Sequence, residues 1–357
     1  MTNIERFHDV FFEGKNNTEA CLVTSHTNRF YLSDFSSSDG MVFVTENVNY
    51  LIVDFRYYEM AKLKVTAPFE IILCDTRFSE KLKELIDKHS IKRVWIEDKE
   101  MTVSDLSRYQ KTFDQLSFSY LGDTIDVLRS VKSDNEIEFI KEAQRITDLA
   151  FSHILNYISY DKTEKQVALE LEFFMRSNGA DGIAFDTICV SGTKSSLPHG
   201  VPSDILLTPN SFITMDFGAR FNGYCADMTR TVVLGSASDE MKIVYSTVLE
   251  AQRRALNKIS SGVLGSVVDL AARDHIYSCG FNGCFGHSTG HGLGIEVHEP
   301  PSFSPNYKKQ ILRNSVLSVE PGIYLEGKFG VRIEDIVVVK DDGIENLTKS
   351  EKNLIEL

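Results

Sequence analysis

From residue 213 to residue 218 the chain alternates one for one. Ile213, Met215 and Phe217 are apolar, and Thr214, Asp216 and Gly218 fall between and after them, which is the period of a half-buried β-strand. Asn222-Gly223 then interrupts the pattern. It is the strongest short hairpin signal, because a type I′ turn needs positive φ at both central residues. With those two residues as the loop, Phe221 faces Tyr224, Gly218 faces Asp227 and Asp216 faces Thr229. Asp216 and Asp227 become diagonal neighbours on one face, with Cβ atoms roughly 7 Å apart. Two carboxylates so placed repel each other and lose water together. A cation between them removes both problems; a solvated face carrying two unrelated aspartates is the plain alternative.

Elsewhere the periodicity divides the chain in two. Residues 1–122 alternate short apolar runs with helical patterns: strands at 20–23, 41–44, 50–53, 70–74 and 93–96, with Glu46-Asn47 as a hairpin turn between two of them. Leu82, Leu85 and Ile86 fall on one face of a helix over 79–88. The polar turn at 122–126 marks the boundary. In residues 123–357, Ser133 with Glu136 and Thr163 with Gln166 read as capping boxes. They open two amphipathic helices, the second ending at Gly179. Two more helices are predicted over 239–258 and 266–279. The expectation is a smaller N-terminal α/β domain, 1–122, followed by an α+β domain, 123–357, with the hairpin between its helix pairs.

Composition narrows the partners. Lys and Arg number 38 against 51 Asp and Glu, a net charge of −13, which repels nucleic-acid phosphates and anionic lipid. No apolar run reaches the roughly 20 residues of a membrane span. The first ten residues have no basic stretch followed by an apolar core, so no signal peptide is read there. Six cysteines without CxxC spacing point to free thiols in a reducing cytosol.

Four further stretches carry chemistry. His199 sits in Leu197-Pro198-His199-Gly200, a loop histidine on its own. His287, His291 and His298, three of the nine histidines, fall in a run punctuated by Gly286, Gly290, Gly292 and Gly294. Glycine at that density makes a helix improbable and fits a sharply bending backbone close to a ligand. Glu320 precedes Pro321-Gly322, as a turn residue would. Arg332 and Glu334 are placed on one face of an apolar strand, where a cross-strand salt pair is the alternative to a site. Carboxylates and imidazoles without thiolates suit Mn²⁺, Co²⁺ or Zn²⁺. Two ions sharing carboxylates hold a hydroxide between them at roughly 3.5–4 Å separation. Spacing alone does not say which residues bind.

Asp216 with Asp227 eleven positions on, the stretch from His287 to Glu299, Val319-Glu320-Pro321-Gly322-Ile323 and Val331-Arg332-Ile333-Glu334-Asp335 together resemble the aminopeptidase P and prolidase family of "pita-bread" metallopeptidases. The resemblance covers most of the chain, including Leu128-Arg129-Ser130-Val131-Lys132-Ser133 and, more loosely, Phe30-Tyr31-Leu32-Ser33-Asp34-Phe35. It implies a creatinase-like N-terminal domain, a pita-bread catalytic domain, and two divalent ions per chain, Mn²⁺ first and Co²⁺ or Zn²⁺ otherwise. It implies Asp216, Asp227, His291, Glu320 and Glu334 as ligands, with Asp227 and Glu334 shared. His199 and His298 resemble histidines that meet the substrate and the developing oxyanion, His287 one that lines the proline side, and Arg332 one behind the site. Glu320 is also the proton shuttle. The implied reaction is hydrolysis of the N-terminal Xaa-Pro bond by the metal-bridging hydroxide, with an Xaa-Pro dipeptidase as the alternative and a non-catalytic peptide-binding module as the reading from another class. A cytoplasmic homodimer is implied by the family.

Overall fold

A computed structural model of the chain describes residues 1–66 and 68–357. They form two compact units, Met1–Arg129 and Ser130–Leu357. The short helix Thr124–Ser130 starts within the expected polar turn and runs across that junction.

The first unit is built on a six-stranded mixed sheet. In spatial order its strands are Phe69–Leu73, Asn49–Val53, Met41–Val44, Glu19–Val23, Arg93–Ile96 and Ser117–Tyr120. Met41–Val44 and Asn49–Val53 pair antiparallel as the hairpin expected around Glu46-Asn47. The helix Phe78–Lys88 buries Leu82, Leu85 and Ile86 against this sheet, each worth about 1.5–3 kcal/mol of transfer free energy. A helix at Asn3–Phe12 was not read from the sequence, although Thr2 and Glu5 form a full capping box in front of it.

The second unit has two helix pairs, each over its own apolar core. Helices Asp134–Ile154 and Glu164–Ser177, both opened by the expected capping boxes, pack through Ile146, Ile154 and Leu171 on Met215, Phe217 and Met228. Helices Asp239–Leu256 and Gly265–Ser278 pack through Val244, Val248 and Ala272 on Leu317, Val319 and Val337. No helix among the described residues is long and apolar enough to cross a membrane.

The hairpin lies where its pattern puts it. Phe221 pairs with Tyr224, Met228 with Phe217 and Thr229 with Asp216. Asn222 and Gly223 have φ of 46° and 80°, both positive as the tight turn requires. At Gly218 a Cβ would lie 1.9 Å from the Ala226 carbonyl oxygen, so only glycine lets the two strands approach there.

Two local readings are corrected. Arg332 and Glu334 do not share one strand. Phe329–Arg332 pairs with Gly322–Leu325, whereas Asp335–Lys340 pairs with Val316–Val319. The chain changes ladders at Ile333 and Glu334, and the Glu334 N–H donates to the Thr229 carbonyl at 3.1 Å. Glu320-Pro321 is likewise a link between strands of two different sheets rather than a tight turn. Both corrections have one cause: an apolar run can serve two sheets in succession, and side-chain pattern does not mark the change of partner.

Candidate active site

Every candidate side chain lies at or beside the end of a strand or turn. Asp216 is the penultimate residue of Ser211–Phe217, and Asp227 immediately precedes Met228–Leu234. His291 is the middle residue of Gly290–Gly292, and His298 immediately precedes Glu299–Phe303. Glu320 follows Val316–Val319, Glu334 precedes Asp335–Lys340 and Arg332 closes Phe329–Arg332. His199 sits in the turn after the 3₁₀ segment Gly192–Ser196, and His287 lies in the loop before Gly290. All nine line one cavity of about 500 Å³ in the second unit, which also takes in Phe185, Ile188 and Val297. Strand ends suit this work, because a side chain there is held by the ladder on one side and open on the other.

Within the cavity Asp227, His291 and Glu334 each bring a ligand atom within 4.8 Å of the others. His291 Nε2 stands 3.6 Å from Asp227 Oδ2 and 3.3 Å from Glu320 Oε1. Its Nδ1 donates to the Gly292 carbonyl at 3.2 Å, which leaves Nε2 to face the carboxylates. Asp216 is held differently, with Oδ2 accepting from Arg332 Nη2 at 2.6 Å.

Two further residues, not singled out from the sequence, organise the rest. Thr229 Oγ1 donates to Glu334 Oε2 at 2.7 Å and accepts from Arg332 Nε at 2.9 Å. Tyr324 Oη accepts from Arg332 Nη1 at 2.9 Å and stands 2.9 Å from His287 Nε2. The Ser288 carbonyl can only accept, so His287 Nδ1 carries the proton toward it. In the neutral ring Nε2 then accepts from the Tyr324 hydroxyl. Thr229 lies directly opposite Asp216, and its same-face position was the signal available for it; Tyr324 is four residues beyond Glu320 and had no periodic mark.

The electrostatics divide the carboxylates of the cavity. Asp227 and Glu334 are raised well above the carboxylate range, first by burial and then by neighbouring carboxylates. Glu320 behaves oppositely. Burial raises it, but the hydrogen bond and charge of His291, with His287 and Arg332, outweigh that and hold it at about 2. His291 is correspondingly raised, because Glu320 overcomes its burial. Burial lowers His287 and His298. One guanidinium therefore faces four carboxylates, and Asp216 Oδ1 is buried without a hydrogen-bond partner. Oxygen and imidazole donors with surplus negative charge fit divalent cations.

Comparison with known proteins supplies the family. Residues 138–341 match the profile of metallopeptidase family M24, and residues 13–131 that of the creatinase/prolidase N-terminal domain. An Xaa-Pro dipeptidase of Pyrococcus horikoshii is 36% identical over 96% of both chains. The solved X-Pro aminopeptidase of Thermotoga maritima MSB8 superposes with a TM-score of 0.91 at 40% identity, covering 95% of this chain and 97% of its own. An Xaa-Pro dipeptidase of Bacillus anthracis reaches 0.95 at 38% identity over 99% of both. The family implies divalent metal ions and an enzyme, so the binding-module reading gives way. The chain belongs to metallopeptidase family M24, a peptidase with a creatinase-type domain ahead of a pita-bread catalytic domain.

Proposed function

We propose that the protein removes the first residue from peptides whose second residue is proline. The observation that carries this reading is the convergence of nine chemically competent residues on one cavity, in a chain whose relatives are named for Xaa-Pro cleavage. Asp216, Asp227, His291, Glu320 and Glu334 would hold two divalent ions, with Mn²⁺ expected first and Co²⁺ or Zn²⁺ as substitutes; Asp227 and Glu334 would serve both. When bound, such ions supply Lewis acidity and bring the pKa of a water toward neutrality.

The chain's own residues do the rest. Proline is a tertiary amide without an N–H and with fixed φ; like any amide nitrogen, its leaving nitrogen must be given a proton. Glu320 is the carrier, able to receive a proton on one oxygen and hand it on. His199 and His298 donate to the oxygen on which charge develops. His287, kept neutral and tied to Tyr324, lines the proline side. Arg332 holds Asp216, Thr229 and Tyr324 in register. Phe185, Ile188 and Val297 supply apolar wall.

Arg332 is the single Lys or Arg among the residues lining the cavity. Its Nε and Nη groups are committed to Thr229, Tyr324, Asp216 and the Pro198 carbonyl. That supports a site without its own captor for a terminal carboxylate, open to chain beyond the proline. The second reading, a dipeptidase, is favoured by the names of two of the relatives. Turnover of Xaa-Pro-Xaa against Xaa-Pro with added Mn²⁺ decides between them. We expect cleavage of the tripeptide at the Xaa–Pro bond and none of its alanine counterpart. Hydrolysis of the dipeptide alone would make the second reading correct. A homodimer and a cytosolic location complete the proposal. All six cysteines are free thiols, which supports a reducing compartment, and sedimentation at several concentrations tests the dimer.

A further inference from the structure

The loop that carries His287 leads into His291 and has almost no ladder of its own. Residues 281–289 form no strand or helix. The Thr289 N–H donates to the Phe303 carbonyl and the Tyr324 N–H to the Cys284 carbonyl, each at 2.9 Å. Further support comes from the helix Gly265–Ser278, one turn of which presents Asp269 and Arg273. Asp269 is 1% exposed at its side chain and Arg273 16%. The two form a forked ion pair, Arg273 Nε to Asp269 Oδ2 at 2.7 Å and Nη2 to Oδ1 at 2.8 Å.

Neither group spends itself on the other alone. Arg273 Nη1 donates to the Phe285 carbonyl and Nη2 to the His287 carbonyl, both at 2.8 Å. The guanidinium also lies over the Phe285 ring, 4.3 Å from its centroid. Asp269 Oδ1 accepts from the Thr289 N–H at 3.1 Å and from Thr289 Oγ1 at 3.0 Å. The Thr289 carbonyl in turn accepts from the Glu320 N–H at 2.7 Å. Two side chains thus fix the backbone at 285, 287 and 289, and reach the chain at Glu320 through one more bond.

We propose that Asp269 and Arg273 are positioning residues for this peptidase: they set the loop that aims His287 and His291 into the cavity and align it with Glu320. An ordinary i,i+4 pair on a helix surface only steadies its own helix. Here Asp269 is buried and Arg273 partly so, and both reach the backbone of another segment. The geometry requires a planar fork, since one group must reach a carboxylate and two carbonyls together. Lysine has the charge and lacks the fork.

The inference rests on the reading of His287 and His291 as site residues, and its test separates the two. Arg273→Lys and Asp269→Asn are compared with Val268→Ala, a core truncation on the same helix that touches none of these bonds. Three quantities are read: the side-chain ¹⁵N signals of His287 and His291 in metal-free protein, the Mn²⁺ isotherm by calorimetry, and kcat against KM on an Xaa-Pro-Xaa peptide. We expect both clamp variants to move the imidazole signals and to weaken Mn²⁺ binding about 10–100-fold, the scale for losing a group that orients a ligand. Turnover should fall through kcat more than through KM. Val268→Ala should lower the melting temperature at least as much and leave the imidazole signals and isotherm at wild-type values. Wild-type imidazole signals and isotherm in Arg273→Lys, or equal changes in Val268→Ala, would overturn the proposal. If Arg273→Lys gives no cooperative melt, Thr289→Val removes one bond only; unmoved imidazole signals in that variant would also overturn it. Should the wild-type enzyme leave Xaa-Pro peptides uncut, the activity reading fails, while the spectroscopic and calorimetric arms still judge the clamp.

Discussion

Arg332 places its Nη2 on Asp216, and Asp227 and Glu334 receive no comparable cation. Burial first, and neighbouring carboxylates next, raise both above the carboxylate range in the metal-free fold. Asp227→Asn and Glu334→Gln keep shape and remove the unfavourable charge. We therefore expect the metal-free variants to melt no lower than the wild type, while activity is largely lost and ion binding loosens. Scanning calorimetry without metal and metal analysis after dialysis check this; near-wild-type turnover with two ions retained would show that neither residue is a shared ligand. His298 is a different case. Its ring lies 4.3 Å from that of His291 and tilted by 59°, and in the proposed reading it is a donor beside the ligands. His298→Ala should lower kcat by about 10²-fold or more, as for loss of one oxyanion donor, with metal content unchanged. Loss of an ion in that variant would mean that the two histidines have exchanged roles.

At the scale of elements, the hairpin shows how far a pattern reaches. Alternation plus Asn222-Gly223 was enough for the register, and the register alone brought Asp216 and Asp227 together. The helices announced by Ser133 and Thr163 were legible for the same reason: the signal is local and physical. What was hidden is non-local. The change of ladder at Ile333 depends on where Thr229 and Val316–Val319 lie, and the links from Arg332 to Tyr324 and from Arg273 to the histidine loop depend on tertiary approach with no periodic trace. The site residues came into view through family resemblance more than through spacing. Gly218 offers a test of the hairpin's role. In Gly218→Ala the methyl group meets the Ala226 carbonyl, one residue before Asp227. Overpacking of this kind costs about 1–3 kcal/mol, and here the strain falls on the ligand-bearing strand. We expect a lower urea midpoint together with weaker Mn²⁺ binding, and an unchanged isotherm would show that the approach at Gly218 is not what places Asp227.

For the whole molecule, the cavity ties stability to pH and metal. Carboxylates whose folded pKa is raised above the unfolded values near 3.8 and 4.5 bind protons more tightly when folded. Their contribution is present in acid and is lost as pH rises through the folded pKa. His291, raised above 6.5, has the same sign. Glu320, held at about 2, has the opposite sign, but its contribution is already complete above 4.5. His287 and His298, lowered below 6.5, act with the opposite sign up to about that pH. Metal-free protein should therefore melt at progressively lower temperature between about pH 6.5 and about pH 8, and Mn²⁺ should flatten or reverse that slope. A metal-free melting temperature that climbs over this range would contradict the charge arrangement. The order of the proposed ligands along the chain adds a consequence in time. Asp216 and Asp227 ride on strands packed in the core of the first helix pair, while Glu320 and Glu334 ride on strands of the core formed by the second. During synthesis the first pair of acids emerges long before the last strand exists, so a nascent chain can close half its core and still lack a place for an ion. On the proposed ligand set, no complete ion site exists until the strand that follows Glu334 has been made.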